Sequence, residues 1–364
     1  MEEKLICCIC GCEISQGDEL YVGEDVICEN CAENECVTCE CCGELIYQGN
    51  YLGENGLVLC ESCYTNHYCR CFECNELINE NDVYWIDDEC YCEECYNNRV
   101  ENDCINDYCY KPEPIFYGYG NRYYGIELEI DKGGKYGDYA KIILDTANIQ
   151  NQHIYIKSDS SLDDGFEIVS HPMTLKYHLE EMDWESILQT AKNLGYYSHD
   201  TSTCGYHVHI SRKALGSTYD EQEDVISKIM YFIELHWNEM LKFSRRTESN
   251  MNRWSARLGY EKTSKEILEK AKYGSRGRYI AVNIENYSTV EIRMFRGTLK
   301  YNTFIATLQM VNTIIDIAIN LTDEEINHQS WSDFVSTIEE TELIQYLKER
   351  NLYINEPVMS EEKV

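Results

Sequence analysis

Apolar and polar residues alternate most strictly in the last two thirds of the chain. Tyr124–Ile130 reads YGIELEI, with Ile126, Leu128 and Ile130 on one side and Glu127, Glu129 and Asp131 on the other. That is the period of a half-buried strand. Residues 206–211 set Val208 and Ile210 opposite His207 and His209, and residues 279–284 set Ile280, Val282 and Ile284 opposite Asn283. Residues 290–295 oppose Ile292 and Met294 to Glu291 and Arg293, and Phe166–Ser170, carrying Glu167, is a shorter fifth strand. Residues 139–148, 175–194, 221–242, 303–320 and 331–347 repeat their apolar positions every three or four residues, which predicts helices. Strands mixed irregularly with long helices predict an α+β domain on an antiparallel sheet. One sheet face packs on helices, and the other gathers the glutamates, histidines, asparagine and arginine.

The first hundred residues follow another rule. Twenty of the 21 cysteines lie between Cys7 and Cys109. Cys7, Cys10, Cys28 and Cys31 recur 32 residues later as Cys39, Cys42, Cys60 and Cys63, then again as Cys71, Cys74, Cys92 and Cys95. Each unit reads C-x2-C-x17-C-x2-C. A C-x2-C turn places two thiolates on one side, and two such turns joined by a hairpin complete a tetrahedral S4 site for Zn2+. The metal supplies folding free energy that a unit of about 30 residues cannot draw from so small a core. About three structural zinc ions are expected, with no open coordination position. A disulfide framework would need an oxidising compartment, and iron–sulfur clusters use tighter cysteine runs. Cys8, Cys12, Cys36, Cys41, Cys69, Cys90, Cys104 and Cys109 remain over, and Cys36-x2-Cys39 leaves part of the ligand choice open. The knuckle pairs resemble those of LIM-type and treble-clef zinc modules.

Charge narrows the partners. The chain of 364 residues carries 65 acidic and 31 basic side chains, a net of -34, and residues 1–113 hold 27 acidic against 4 basic. Such a surface repels nucleic-acid backbones and anionic membranes. The cysteine array is expected to dock a protein, a basic one by charge, or to act as a structural cap. No apolar run reaches the roughly 20 residues of a membrane span. The opening MEEKLICCIC lacks a basic stretch leading into an apolar one, so a cytoplasmic chain is expected. Cysteine thins out at Lys111-Pro112-Glu113-Pro114. That ends the array, over 1–113.

The polar sheet face is the main chemical clue. Converging carboxylates repel one another unless cations lie between them, and hard oxygen ligands with an imidazole suit Mg2+ or Mn2+. The competing reading is a solvated outer face, which would use more lysine and threonine. Asp159 in SDSS is either a turn cap or a site residue. Lys272, Arg276 and Arg278, in KYGSRGRY, suit nucleotide phosphates or the acid substrate, with a solvated loop as the alternative for Lys272 and Arg276. Arg245, Arg246, Arg253 and Arg257 form a second basic cluster suited to an anion. Cys204 reads better as a packed small residue than as a nucleophile, and the glycines of DKGGKYGD fit a hairpin turn, not a phosphate loop.

Four segments together resemble the amidoligases, carboxylate–amine ligases of the glutamine-synthetase and glutamate–cysteine-ligase fold. They are Gly125-Ile126-Glu127-Leu128-Glu129; Ser158-Asp159-Ser160-Ser161-Leu162 with Glu167-Ile168-Val169-Ser170-His171-Pro172; Cys204-Gly205-Tyr206-His207-Val208-His209; and residues 289–298, TVEIRMFRGT. The resemblance runs from about residue 123 to 320 and excludes the cysteine array, which implies a catalytic domain over 114–320 and a helical extension over 321–364. It implies an antiparallel-sheet, glutamine-synthetase-like catalytic domain preceded by small zinc-binding β-hairpin modules. It implies ATP-dependent amide formation through an acyl phosphate, between a carboxylate and an amine that is a free amino acid, a peptide or a protein. Glu127 and Glu129 would each face one metal, Glu167 and Glu291 would complete the ring, and His207 or His209 would supply the imidazole. Arg293 would hold a phosphoryl group, Arg278 and Asn283 would assist with the nucleotide, and Arg296 would join them only if the strand bulges. Two other readings stay open. One is an acidic interaction or decoy protein on a ligase-like scaffold, as phage-borne members of such families suggest; the other is a kinase of a small carboxylate.

Overall fold

The computed structural model describes residues 5–353 except 55, 87, 102–103, 200 and 202. The chain forms two compact units, Met1–Asn102 and Asp103–Val364.

The first unit repeats one small module three times. In each, a two-stranded hairpin leads into or carries the first cysteine pair, as in Cys36–Thr38 paired with Leu45–Tyr47 and Tyr68–Arg70 paired with Leu77–Asn79. The second pair opens a short helix: Glu29–Glu35, Glu61–His67 or Glu93–Glu101. The knuckle turns close identically, Gly11, Gly43 and Asn75 donating their N–H to the carbonyls of Cys7, Cys39 and Cys71 at 2.9, 2.8 and 2.9 Å. All three closing residues have left-handed φ, +72°, +79° and +62°, a conformation that glycine adopts freely and asparagine tolerates. Each module buries little besides cysteine: Ile14 and Ile27, then Ile46 and Leu59, then Ile78 and Tyr91.

The second unit is built on a seven-stranded sheet. Its strands are β1 (Ile105–Asn106), β2 (Tyr124–Ile130), β3 (Ile154–Lys157), β4 (Phe166–Ser170), β5 (Gly205–Ser211), β6 (Val282–Asn283) and β7 (Thr289–Arg296), in the spatial order β1-β3-β4-β2-β5-β7-β6. Only β1 and β3 run parallel; every other pair is antiparallel. Ile126, Leu128, Ile156, Ile168, Val208, Ile210 and Ile292 are fully buried on one face, each contributing about 1.5–3 kcal/mol of apolar burial. The helix Tyr301–Asn320 belongs to this core, with Phe304 stacked on Tyr206 at 4.7 Å between ring centres and against Trp184.

Several sequence expectations change. β1 belongs to this sheet, so the division falls before Cys104 and not at Pro114. Residues 321–353 form no appendage: Phe334, Val335, Leu343, Tyr346 and Leu347 are buried in the same core, and the Tyr346 hydroxyl donates to the Phe243 carbonyl at 2.9 Å. The helix Tyr301–Asn320 does reach membrane-spanning length and apolarity, but most of it is buried inside the unit. The helix expected over 175–194 breaks where the Asp183 side chain caps a new start, accepting from the Ser186 N–H. The one expected over 221–242 becomes Tyr219–Leu235 and Trp237–Ser244, turning at His236. The strand expected over 279–284 shrinks to two residues. A helix at Ser264–Tyr273, started by a Thr263–Glu266 capping box, holds Lys272 where the sequence suggested a loop.

Candidate functional site

The register of β2, β4 and β5 assembles the polar face. Glu127 lies opposite His207, Glu129 opposite Glu167, and Glu167 opposite Lys157; His209 and Asn283 both lie opposite Glu291. Directly opposed side chains lie about 5 Å apart at Cβ, so four carboxylates meet around one imidazole. His207 Nδ1 is 3.5 Å from Glu127 and 3.4 Å from Glu291, and its Nε2 is 3.9 Å from Glu129. His209 Nε2 lies 3.3 Å from Glu127. Two groups have ligand atoms close enough to share an ion, Glu127–His207–Glu291 and Glu129–Glu167–His207, with His207 common to both. All these residues are buried except Glu127, which is partly so. His207 Nδ1 and His209 Nε2 are buried without a well-aligned hydrogen bond.

The electrostatics split the ring in two. Burial would raise the Glu127 carboxyl, but His209 and His207 outweigh it and hold it well below the usual range. At Glu291, too, His209, His207 and Arg293 overcome burial. Burial raises Glu129 despite His207, the Gly205 N–H and Arg246. Burial and the charge of Glu127 push Glu167 far up, with Lys157 offsetting only part. The side chains therefore resist full ionisation until more positive charge arrives. Hard carboxylate oxygens beside an imidazole fit a divalent Mg2+ or Mn2+ ion.

Lys157 is a cation that sequence reasoning missed. Its Nζ lies 3.1 Å from Glu167 and 3.9 Å from Glu127. The signal was present, since Ile154 and Ile156 alternate with Tyr155 and Lys157, but four residues are too few to stand out. Asp159 caps its turn, accepting from the Ser161 N–H at 2.6 Å, and its charge acts on Glu129.

The arginines divide by place. Arg293 pairs with Glu291, and Asn283 Nδ2 donates to the other oxygen of that carboxylate at 2.7 Å. Pairing between β5 and β7 slips by one residue, so Arg296 comes opposite Gly205 on the same face as His207. The bulge on which its role depended is present. Arg246, nine-tenths buried, reaches over Gly205: a Cβ there would lie 2.6 Å from His207 Nε2 and 2.7 Å from Arg246 Nη2. The absent side chain makes room for both. Nε of Arg293 and of Arg296 is buried without a partner, and burial with the neighbouring guanidinium charges draws Arg246 down to about 10, although Glu129 opposes this. Clustered guanidiniums with unmet donors are chemically suited to an anion.

Other sequence candidates lie elsewhere. Arg278 donates to the Tyr108 hydroxyl at 3.0 Å, and the Tyr108 ring lies beside Lys157 Nζ. Arg257 pairs with buried Glu234, Lys272 pairs with Glu223, and Arg276 caps the Asn252 carbonyl. Arg245 clamps the carbonyls of Arg296 and Gly297, while Arg253 lies over Trp254. Cys204 is buried, and burial pushes its thiol up to about 12, which suits packing and not nucleophilic attack.

The three cysteine tetrads also assemble, each able to hold a metal ion. Cys10–Cys28, Cys42–Cys60 and Cys74–Cys92 stand 3.8, 3.9 and 3.8 Å apart at sulfur. A tetrahedron with zinc–sulfur bonds of about 2.3 Å has edges of about 3.8 Å. Backbone N–H donors, that of Cys10 foremost, hold the Cys7 thiol down at about 6. Donors of the same kind outweigh burial at Cys39 and Cys71, also at about 6. These thiols are ready to ligate as thiolates at neutral pH.

A protein-family model described as "Putative amidoligase enzyme" matches residues 127–315. Among solved structures, a bifunctional glutathione synthetase from Pasteurella multocida is similar at 12% identity and a TM-score of 0.37. That match covers 63% of this chain and 46% of the neighbour, so this chain spans less than half of the neighbour's length. No curated protein matches the chain at a significant level.

Proposed function

Because this chain belongs to the amidoligase family, whose model spans just over half of it, we propose that it is an ATP-dependent carboxylate–amine ligase requiring Mg2+ or Mn2+ and working through an acyl phosphate. The observation that carries the reading is the double carboxylate cluster sharing His207 beside the buried guanidiniums. Glu127 and Glu291 would hold one divalent ion and Glu129 and Glu167 a second; His207, whose neutral ring has one lone-pair nitrogen, would complete one of the two sets. Such ions, when bound, neutralise phosphate oxygens during phosphoryl transfer.

The side chains of this chain do the positioning. Asn283 and Arg293 orient Glu291, and the Gly205 N–H orients Glu129. Arg246, Arg293 and Arg296 would hold the phosphoryl group as the acid's oxygen attacks the γ-phosphorus and ADP departs. The amine nitrogen then attacks the acyl carbon, phosphate leaves, and the nitrogen gives up its proton. Arg278 would reach the nucleotide from the rim. A glutamine-synthetase-like form of the sheet belongs to the same proposal. So does the zinc array as a docking arm for a basic protein, substrate or partner, supported by its 27 acidic and 4 basic side chains over residues 1–113.

The test supplies the full chain with ATP, Mg2+ and mixtures of acids and amines, and follows amine-dependent phosphate release and amide mass. Turnover is expected in the wild type and none in Glu127→Ala or Glu291→Ala, with circular dichroism unchanged, since those residues carry charge and not packing. Full activity in both variants would sink the site assignment. A phosphorylated acid that never becomes an amide would favour the kinase reading. Absence of ATP consumption would favour the acidic interaction protein.

A further inference from the structure

A second concavity lies on the opposite side of β6 from Glu291. Asn283 points toward Glu291, and Ile284, the next residue, lines a surface pocket of about 390 Å³; ligand pockets commonly begin at about 300 Å³. The helices Tyr219–Leu235 and Ser264–Tyr273 wall it, with Ile226 and Leu268 buried at its base. Tyr219 and Tyr273 stand exposed at its rim, 63% and 82% accessible.

The two cations of this pocket are held differently. Lys272 pairs with Glu223 at 2.7 Å and with Glu269 at 3.8 Å, and Glu223 takes the Tyr219 hydroxyl and lends its charge to Arg212 as well. Arg212 has no carboxylate within ion-pair distance among the described residues. Its Nε and Nη2 donate to the carbonyls of Asn286 and Ile284 at 3.1 and 2.5 Å, and its Nη1 has no hydrogen-bond partner among the described residues. Two fixed bonds hold the fork in place, and the remaining edge suits a carboxylate. The open guanidinium edge matches one carboxylate, and the apolar floor with its two phenol rings matches an apolar or aromatic body.

We propose that this pocket binds a small monocarboxylate with an apolar or aromatic body, its carboxylate on Arg212 and its body between Tyr219 and Tyr273. The site also touches the chemistry indirectly. Arg212 straps the same 284–286 segment whose Asn286, with Asn283, donates to Glu291. An occupant that draws on Arg212 therefore acts on the segment that orients Glu291. The binding claim stands apart from the ligase reading, because it concerns a different face of the sheet.

The experiment is saturation-transfer NMR and calorimetry on the full chain with phenylacetate, with phenol and inorganic phosphate as competitors. Phenylacetate is expected to bind with a dissociation constant of about 1 mM or tighter. Arg212→Gln should weaken it at least about tenfold. Tyr273→Ala, at an exposed helix end that the fold does not need, should weaken it severalfold. Neither phenol nor phosphate should displace it at equal concentration. No phenylacetate binding at about 10 mM would overturn the proposal. So would unchanged affinity in both variants, or displacement by either competitor.

Discussion

At the scale of single residues, neighbours decide what each titratable group can do. Glu127 and Glu129 lie two positions apart on one strand and point the same way, yet the first is held acidic by two histidines and the second is raised by burial. Their presence and facing were legible from alternation; the split was not, since it depends on His209 and His207 arriving beside Glu127 and on the burial of Glu129. Lys157 escaped notice because its four-residue strand is too short to stand out. His178 shows the effect in the core. Fully buried, it sits between the Tyr124 carbonyl and the Trp184 indole N–H, and burial lowers its pKa to about 4. Its unfolded value is about 6.5, so between these pH values the unfolded chain binds more protons than the folded one. Stability from neutral His178 is complete above about pH 6.5 and lost as pH falls toward 4. Urea denaturation at pH 7.5 and 5 should therefore show a fall in the wild type that is about 2 kcal/mol smaller in His178→Gln. Equal falls in the two proteins would refute that assignment.

At the scale of elements, the cysteine modules were readable almost completely because their determinants are local. Each knuckle needs two cysteines and one residue tolerant of left-handed φ, and Gly11, Gly43 and Asn75 occupy that place. Gly43→Val forces a β-branched residue into it and should cost about 1–2 kcal/mol of module stability, seen as weaker zinc retention against a chromogenic chelator. Asn75→Gly should leave retention unchanged or better. Elemental analysis should find about three zinc ions per chain, and a protein with none would overturn the structural-zinc reading. The helices were less legible. Period alone carried them across the breaks at Asp183 and His236, because side-chain caps and packing, not hydrophobic spacing, end a helix there.

At the scale of the whole molecule, boundaries drawn from composition and from the reach of the family resemblance gave way to packing. The prolines near residue 114 and the end of the resemblance at Asn320 looked like limits, but β1 lies before the first and, among the described residues, nine buried core residues lie after the second. A chain ended at Asn320 loses Phe334, Val335, Leu343, Tyr346 and Leu347, about 1.5–3 kcal/mol each, against a total stability of about 5–15 kcal/mol. It should show no cooperative melting of the second unit; a cooperative melt near the wild-type temperature would mean that the C-terminal helices are dispensable. The sequence alone determined the spacing of the cysteine tetrads, the alternating strands, the acidity of the array and the kind of residue on the polar sheet face, all of which are set by near neighbours. Only the tertiary structure decided which carboxylates share His207, that a bulge turns Arg296 inward, and that Lys157 and Arg246 belong to the site. Those facts are strand order and register, and they are fixed when segments tens of residues apart bury their apolar faces against one another.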